Sequence, residues 1–509
     1  MSGDGAGDIA TFDVAVIGGG VNGCGVARDL AGRGLSVLLA EQQDLASGTS
    51  SASTKLIHGG LRYLEHREFA LVRESLKERE ILLRLAPHIV RPMRFVLPHH
   101  AGLRPALLIR LGLFLYDVLG GRRHLPASRS LDLRHDPAGE PLQARYVRGF
   151  EYSDCWVDDA RLVALNAVDA AARGADIRVG TAVVAAERES GMWRVELSTA
   201  QGERTSIRAR VLVNAAGPWV EQVAKDALGQ TSAARVRLVK GSHIVVPALF
   251  GHDRAYLFQH VDGRVIFAIP YQQTMTLIGT TDVDYQGDPR DVRASAAEID
   301  YLCTSVGHYF EQPVRPADVI WSYAGVRPLQ DEGDESAQKV SRDFELQLLG
   351  GPDEAALLNI VGGKITTYRH LAEEVAEKLR PRLSGMGPDW TQAAPLPGGD
   401  FPAAGRGALE ADLQRAMPFL EPGTVSRLIA AYGTLAKTVL DHAGSEAALG
   451  RHFGAGLYER EVAYLCAREW ARSAEDILWR RSKLGLRFDD AGVRALRDWL
   501  AAKSAVVAG

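Results

Sequence analysis

Apolar and polar positions along the 509-residue chain change period several times, and each change marks an element. Residues 13–18, DVAVIG, form a short apolar run of buried-strand type. From Asn22 to Arg33, Ala and Gly with Leu30 predict a close-packed helix, and Ser36 to Ala40, SVLLA, a second buried strand. Strand, helix and strand at this spacing predict parallel pairing beneath covering helices. A helix with mixed faces follows from Arg67 to Leu85 and is ended by Pro87. Residues 177–187 and 191–198 read as strands, and ARVLVNAAGPW, Ala209 to Trp219, as a strand entering a Gly-Pro turn, with Trp219 in the core. Residues 242–247, 256–258, 264–270 and 276–280 are strand-like runs between polar turns, the pattern of a mostly antiparallel sheet. Leu357 to Leu379 returns to strand, turn and helix. Ala394 to Gly407 has linker composition. Beyond it Val425, Leu428, Ile429 and Tyr432 fall at i, i+3, i+4 and i+7, one buried helical stripe.

The pattern predicts an α/β and α+β multidomain protein. A Rossmann-type unit is expected in three pieces, residues 12–90, 150–235 and 320–390. A mostly antiparallel substrate or cap domain, 91–149 and 236–319, is inserted in it, and a helical C-terminal domain spans 400–509. Residues 1–11 read as a disordered tail, with neither the basic start nor the apolar run of a signal peptide.

Composition narrows the function. A net charge of −4 excludes nucleic-acid binding by the molecule's overall field. Cys24, Cys155, Cys303 and Cys466 are far apart, which gives no zinc-type or dithiol pair, no metal site and no disulfide framework, and fits a reducing cytoplasmic compartment. No window of about 18 apolar residues predicts a membrane span. The nearest, Ala106 to Gly120, is interrupted by Arg110 and Asp117. Around it Arg84, Arg91, Arg94, Arg104, Arg110, Arg122, Arg123 and Arg129 face a single acid, Asp117, and Leu107, Leu108, Leu111, Leu115 and Leu119 keep helical spacing. The segment reads either as a buried helix with surface arginines or as a basic amphipathic helix lying on an anionic membrane surface.

The clearest chemical signal is Gly18, Gly20 and Gly23 in GGGVNG, a G-x-G-x-x-G that follows a strand and opens a helix. Bare glycine backbone lets a pyrophosphate approach N–H groups at the helix N-terminus. Glu41, ending the second strand, is placed to bond ribose hydroxyls, which argues against a 2′-phosphate and so against NADP. Whether the dinucleotide is NAD or FAD bears on TSSASTKLIHGGLRYLE, Thr49 to Glu65. Thr49, Ser50, Ser51 and Ser53 can donate to phosphate or ribityl oxygens, and Gly59 and Gly60 can let backbone lie against an isoalloxazine ring. The stretch reads equally as a capped, exposed loop.

IGGGVNGCGVARDLAGRG (Ile17 to Gly34) and GGKITTYRHLA (Gly362 to Ala372) resemble the paired signatures of FAD-dependent glycerol-3-phosphate dehydrogenases. TSSASTKLIHGGLRYLEHREF, GFEYSDCWVDDARL, VNAAGPWV, KGSHIVVP, IGTTDVDY and YAGVRPL resemble the same family, in the family's order. Ser47, Gly48 and Thr54 depart from its pattern. The resemblance implies noncovalent FAD, oxidation of sn-glycerol 3-phosphate to dihydroxyacetone phosphate, and electrons passed to membrane quinone. It further implies a homodimer, peripheral on the cytoplasmic side of the inner membrane. It makes Arg62, Tyr63, Arg327, Arg342 and Lys364 the candidate substrate ligands, since an arginine fork pairs well with phosphate. His243 is the candidate general base, although a lone His in a strand also reads as structural. Lys364 can instead stabilise a developing alkoxide. The candidate cofactor residues are Gly18, Gly20, Gly23, Glu41, Thr49, Ser50, Ser51, His58, Gly59, Gly60, Ala216, Gly217, Gly325, Gly363, Lys364 and Thr366; Thr366 and Thr367 read equally as helix caps. An oxygen-using glycerol-3-phosphate oxidase, an amine-oxidising flavoprotein of similar fold and a non-catalytic flavin-binding regulator are the alternatives.

Overall fold

A computed structural model describes residues 9–65, 68–121, 125–230, 236–259, 264–330 and 343–508, the last five of these as backbone only. Two large sheets and a C-terminal helical body make up the fold. The first sheet runs, in spatial order, Phe344–Leu349, Ala356–Gly362, Arg204–Asn214, Thr11–Ile17, Val37–Glu41 and Asp176–Val179. All but the first of these are mutually parallel. The parallel strands are apolar with little alternation because both faces are covered. Helices Val21–Gly32, Asp159–Ala172 and Tyr368–Leu379 share a core with one face. A hairpin of Thr181–Glu189 and Met192–Thr199 continues antiparallel from Arg204–Asn214 and brings Trp193 over the other face, where its indole N–H donates to the Ala356 carbonyl at 2.9 Å.

The second sheet orders Val283–Asp284, Val236–Pro247, Met275–Gly279, Val265–Tyr271, Ala255–Gln259, Val90–His99, Arg148–Val157 and Leu56–Ile57. Trp321–Gln330 pairs with Val236–Pro247, and Arg129–Asp132 with Arg148–Val157. Pairing is antiparallel except between Ala255–Gln259 and Val90–His99. Helix Ala296–Gly307 packs on one face, with Ile244, Val246, Phe258 and Ile278 beneath it. The other face, with Val245, Leu257 and Phe267, looks toward helices Phe69–Leu85 and Ala106–Leu119 and toward the first sheet.

Four expectations change. Arg148–Val157 and Trp321–Gln330, expected in the Rossmann-type unit, pair in the second sheet; an apolar run does not reveal which partner its backbone bonds will find. The expected tail includes Thr11, which opens the first strand, while residues 1–8 lie outside the described residues. The C-terminal body adds a hairpin, His452–Gly454 with Leu457–Tyr458, to its helices. It has its own core, with Val425, Leu428, Ile429 and Tyr432 all buried as their spacing predicts, yet buried charges tie it to the rest: Arg481 meets Asp44 at 2.7 Å, and Arg161 pairs with Glu469. Finally, helix Ala106–Leu119 buries only Leu113 and Tyr116. Leu107 is 82% exposed, Val118 59%, Phe114 55% and Leu111 53%, so one face of the helix lies bare while Leu113, Tyr116 and Leu119 pack inward. The surrounding arginines are partly engaged elsewhere, Arg94 and Arg129 with Glu151, Arg104 with Glu65, and Arg91 over the Trp156 ring. Arg122 and Arg123 lie outside the described residues.

Candidate active site

The carboxyl ends of four parallel strands converge on one edge: Gly18 after Ile17, Glu41, Ala216 and Gly217 after Asn214, and Gly362 with Gly363. Ligands of open α/β sheets bind at this end. Gly18 has φ +110°, and a Cβ there would lie 2.7 Å from the Ala215 carbonyl oxygen. A Cβ on Gly23 would lie 2.0 Å from the Gly18 carbonyl oxygen, so helix Val21–Gly32 presses directly against the loop. Gly23 therefore serves packing and does not line the cavity. Glu41 accepts from the Gly19 and Gln43 N–H groups, both at 2.7 Å. Burial pushes its carboxyl above the ordinary range against the pull of those two bonds. Ser50 Oγ accepts the Val21 N–H at 2.9 Å, which fixes the Thr49–Ser51 turn onto the start of the same helix.

The strand ends and the 47–65 segment enclose one cavity of about 600 Å³. Gly18, Gly20, Glu41, Thr49, Ser50, His58, Gly60, Ala216, Gly217, Gly325, Gly363, Lys364 and Thr366 line it, as do Arg62, Tyr63, His243 and Arg327. Trp219, expected in the core, lines it too, because its ring leans toward Gly48 and its indole N–H reaches Asp288. Two further expectations are corrected. Ser51 is turned to the Gly48 carbonyl, away from the cavity. Gly59 is bare for the sake of neighbours behind it: a Cβ would lie 2.6 Å from Leu76 Cδ2 and 2.8 Å from the Tyr116 hydroxyl. That hydroxyl accepts the Gly59 N–H at 2.8 Å and donates to Asp154, which Arg79 also holds at 2.8 Å. Burial pushes Asp154 up to about 6 despite Arg79. Gly60, at φ +75°, turns the chain into Leu61–Leu64 and faces the cavity. Thr366 is buried and bonds the His58 N–H at 3.2 Å, joining this loop to the 362–366 turn. Thr367 holds the N-cap position of Tyr368–Leu379 without a side-chain cap bond.

The second sheet contributes its charged groups through strand alternation. Opposed residues share a face and successive residues alternate. Val239 opposes Arg327, Gly241 opposes Gly325, and His243 opposes both Tyr323 and Gly279, so all of these lie on one face. A Cβ on Gly241 would fall 2.3 Å from Arg327 Nη2, which makes Gly241 the bed on which the guanidinium lies. Arg327 pairs with Asp282 at 2.5 Å and donates to Thr280 Oγ1 at 3.2 Å. His243 is 2% exposed, stacks on Tyr323 with 4.7 Å between ring centres, and shares a 2.9 Å bond between Nε2 and Thr54 Oγ1. Burial drives its pKa down to about 3, and Lys55 and Arg327 add to that, so the imidazole is uncharged at neutral pH. Lys364 Nζ lies 3.8 Å above the Tyr63 ring. Arg342 lies outside the described residues.

The cavity therefore combines a dinucleotide cradle, an uncharged imidazole and several cations. Residues 13–369 match the model of the FAD-dependent oxidoreductases, and residues 390–504 match the C-terminal domain of alpha-glycerophosphate oxidase. The chain is 54% identical to glycerol-3-phosphate dehydrogenase of Pseudomonas aeruginosa, over 93% of this chain and 92% of that one. It is 48% identical to the aerobic glycerol-3-phosphate dehydrogenase of Escherichia coli, over 96% and 97%. The chain belongs to the FAD-dependent glycerol-3-phosphate dehydrogenase family. It is also 54% identical to D-erythritol 1-phosphate dehydrogenase of Brucella abortus, over 96% and 97%. Among solved structures, the Bacillus halodurans glycerol-3-phosphate dehydrogenase in complex with FAD superposes with a TM-score of 0.77 at 28% identity, covering 97% of this chain and 90% of that one.

FAD is the family's cofactor, and the residues present fit it: the bare Gly18–Gly20 backbone, the Glu41 carboxylate, and a cavity long enough to run from Glu41 to Gly60 and Arg327. Several participants escaped the sequence reading. Thr54, Tyr323 and Gly279 surround His243, Gly241 and Asp282 seat Arg327, and Tyr116 with Asp154 braces Gly59. Gly241 makes room for Arg327 and Gly279 for His243, each across a strand pair that no local pattern announces.

Proposed function

We propose that the protein oxidises sn-glycerol 3-phosphate to dihydroxyacetone phosphate. The observation that carries this is the shared face of His243 and Arg327, with Gly60, Arg62 and Lys364 lining the same cavity. Bound FAD supplies the acceptor for the hydride that leaves C2. Arg327, firm on Gly241, grips the phosphate dianion with paired, charge-assisted bonds, and Arg62 and Lys364, which line the same cavity, add positive charge. The substrate's carbinol is thereby directed at His243. The uncharged imidazole, held through Nε2 by Thr54, accepts the hydroxyl proton as the C–H bond breaks. Gly60 and the Thr366–His58 bonds hold the intervening loop without side chains in the way.

The equal identity to an erythritol-phosphate dehydrogenase supports a second reading, in which the alcohol is a longer polyol phosphate. Purified holoenzyme titrated anaerobically with each compound separates them. Bleaching of the flavin band by glycerol 3-phosphate at the lower concentration supports the first reading. Bleaching by D-erythritol 1-phosphate alone transfers the assignment, and bleaching by neither removes both.

Electrons are proposed to pass to membrane quinone. The cavity continues from Gly60 and Tyr63 to Leu61, Leu64, Leu108 and Leu111, and opens at the bare face of helix Ala106–Leu119. Among the described residues no helix is long and apolar enough to cross a membrane. Burying Leu107, Leu111, Phe114 and Val118 in the outer part of a bilayer, peripheral on the cytoplasmic side, recovers roughly 1.5–3 kcal/mol for each fully buried side chain. Comparing reoxidation by ubiquinone with reoxidation by oxygen tests this assignment against an oxidase.

A further inference from the structure

The back of His243 is built by the C-terminal body. Trp479, on the helical turn Asp476–Arg481, stacks on Trp321 with ring centres 4.7 Å apart. Trp321 leans on Tyr323 at 4.8 Å, and Tyr323 lies flat on His243 at 4.7 Å and 11°. Four rings thus run without interruption from the C-terminal body to the candidate base.

A charged route runs beside them. Lys483, two residues past that turn, meets Asp159 Oδ1 at 3.4 Å, and Lys55 takes Asp159 Oδ2 at 2.8 Å. All three side chains are buried. Ser53 donates its hydroxyl to the same Oδ2 at 2.8 Å, and its carbonyl accepts the Tyr323 hydroxyl at 2.8 Å. The next residue, Thr54, is the one bonded to His243 Nε2. Lys55 itself holds φ +61°, a left-handed conformation that a residue with a side chain keeps only where its surroundings enforce it. At the other end of the 44–55 segment, Arg481 grips Asp44 at 2.7 Å. The C-terminal body therefore pins both ends of the segment that carries Thr49, Ser50 and Thr54.

We propose that Lys55, Asp159 and Lys483, together with the ring stack from Trp479, position His243, and that the C-terminal body is thereby part of the oxidation machinery. The inference rests on His243 being the base, as read above. The charges acting on the imidazole are Lys55 and Asp159, with Lys483 on Asp159 and with Asp158 and the Tyr271 phenol near that carboxylate, and Arg327 with Asp282; the Tyr323 ring lies against it. Burial opposes ionisation of Asp159, yet its two lysines hold the carboxyl below the ordinary range. The lysines balance the two aspartates, and Lys55 sets a positive charge near the imidazole that keeps it free of a proton and ready to accept one. Without that charge the ring protonates at higher pH, and the acid limb of the reaction moves upward.

The test uses full-length holoenzyme with flavin content matched between variants. Anaerobic single-turnover reduction by glycerol 3-phosphate is followed against pH in wild type, Lys55→Met, Lys483→Met and Trp479→Leu. In Lys55→Met the acid limb is expected to rise by about one pH unit, the scale of one nearby charge in a buried site. Adding Lys55→Met to His243→Asn is expected to cost less than about three-fold more, because groups acting through one step are not additive. A wild-type limb in Lys55→Met, or losses that multiply in the double variant, overturns the proposal. Should Lys55→Met fail to fold, Lys483→Met and Trp479→Leu are judged on their combination with His243→Asn: less than multiplicative loss supports the proposal, and multiplied losses or wild-type rates overturn it. Wild type that is not reduced at all by the substrate sinks the functional reading instead, a separate outcome.

Discussion

Replacing Gly279 with Ala acts first on the placement of His243. The strand Val236–Pro247 runs between Met275–Gly279 and Trp321–Gln330, so His243 has Gly279 on one flank and Tyr323 on the other. A methyl group on residue 279 would lie 2.1 Å from His243 Cδ2, whereas ordinary contact begins at 3.4 Å. The ring must give way by the difference, about 1.3 Å. Tyr323, stacked at 4.7 Å, blocks a straight retreat, so the ring has to turn, and turning breaks the Nε2 bond to Thr54. A misplacement of about 1 Å in a reacting group costs on the order of 10²-fold in rate. Anaerobic stopped-flow at saturating glycerol 3-phosphate should therefore show flavin reduction slowed about 10²-fold. Substrate affinity from the concentration dependence should change much less, because Arg327 lies on another strand and keeps its bed on Gly241. Overpacking itself should lower stability by about 1–3 kcal/mol. Gly307→Ala, where a Cβ meets nothing within 4 Å, serves as the neutral control. Gly279→Ala holoenzyme that is reduced at the wild-type rate would refute the role given to His243's position.

Arg327→Ala should lower kcat/KM for glycerol 3-phosphate by about 2–5 kcal/mol, the range for losing one partner of a desolvated charge pair, and steady-state kinetics with the intact substrate check it. Unchanged kinetics would take Arg327 out of the site. His243→Asn should slow single-turnover reduction about 10²-fold or more, the contribution of a positioned base, with FAD content preserved. Replacing Leu111 and Phe114, both more than half exposed, with Ser should release the protein from liposomes in a flotation assay while leaving its melting temperature within a degree or two. Retained flotation would show that this helix face does not touch lipid.

What could be read from the residues alone follows from how local each feature is. The Gly18–Gly23 turn and Glu41 form within one strand–helix–strand unit, so their spacing carries the information, and the structure keeps their relation. Val425, Leu428, Ile429 and Tyr432 likewise declare a buried stripe through periodicity alone. His243 and Arg327 are different: they share a face only because of the register Val239–Arg327 and His243–Tyr323, which no local pattern encodes. The same holds for Trp321–Gln330, whose sheet is chosen by its partner strand. Helix Ala106–Leu119 shows a further limit, since a leucine stripe looks alike whether protein or lipid is to cover it. Gly59 was legible as a close approach but not as to what approaches, and Leu76 and Tyr116 turned out to be the neighbours.

The most direct measurement replaces the C2 hydrogen of sn-glycerol 3-phosphate with deuterium and follows anaerobic flavin reduction in the stopped flow. Breakage of that bond in the step read by the flavin predicts reduction slowed several-fold by the label, with affinity unaltered. Reduction at an identical rate with both substrates, or no reduction by either, would contradict oxidation at C2 in this cavity.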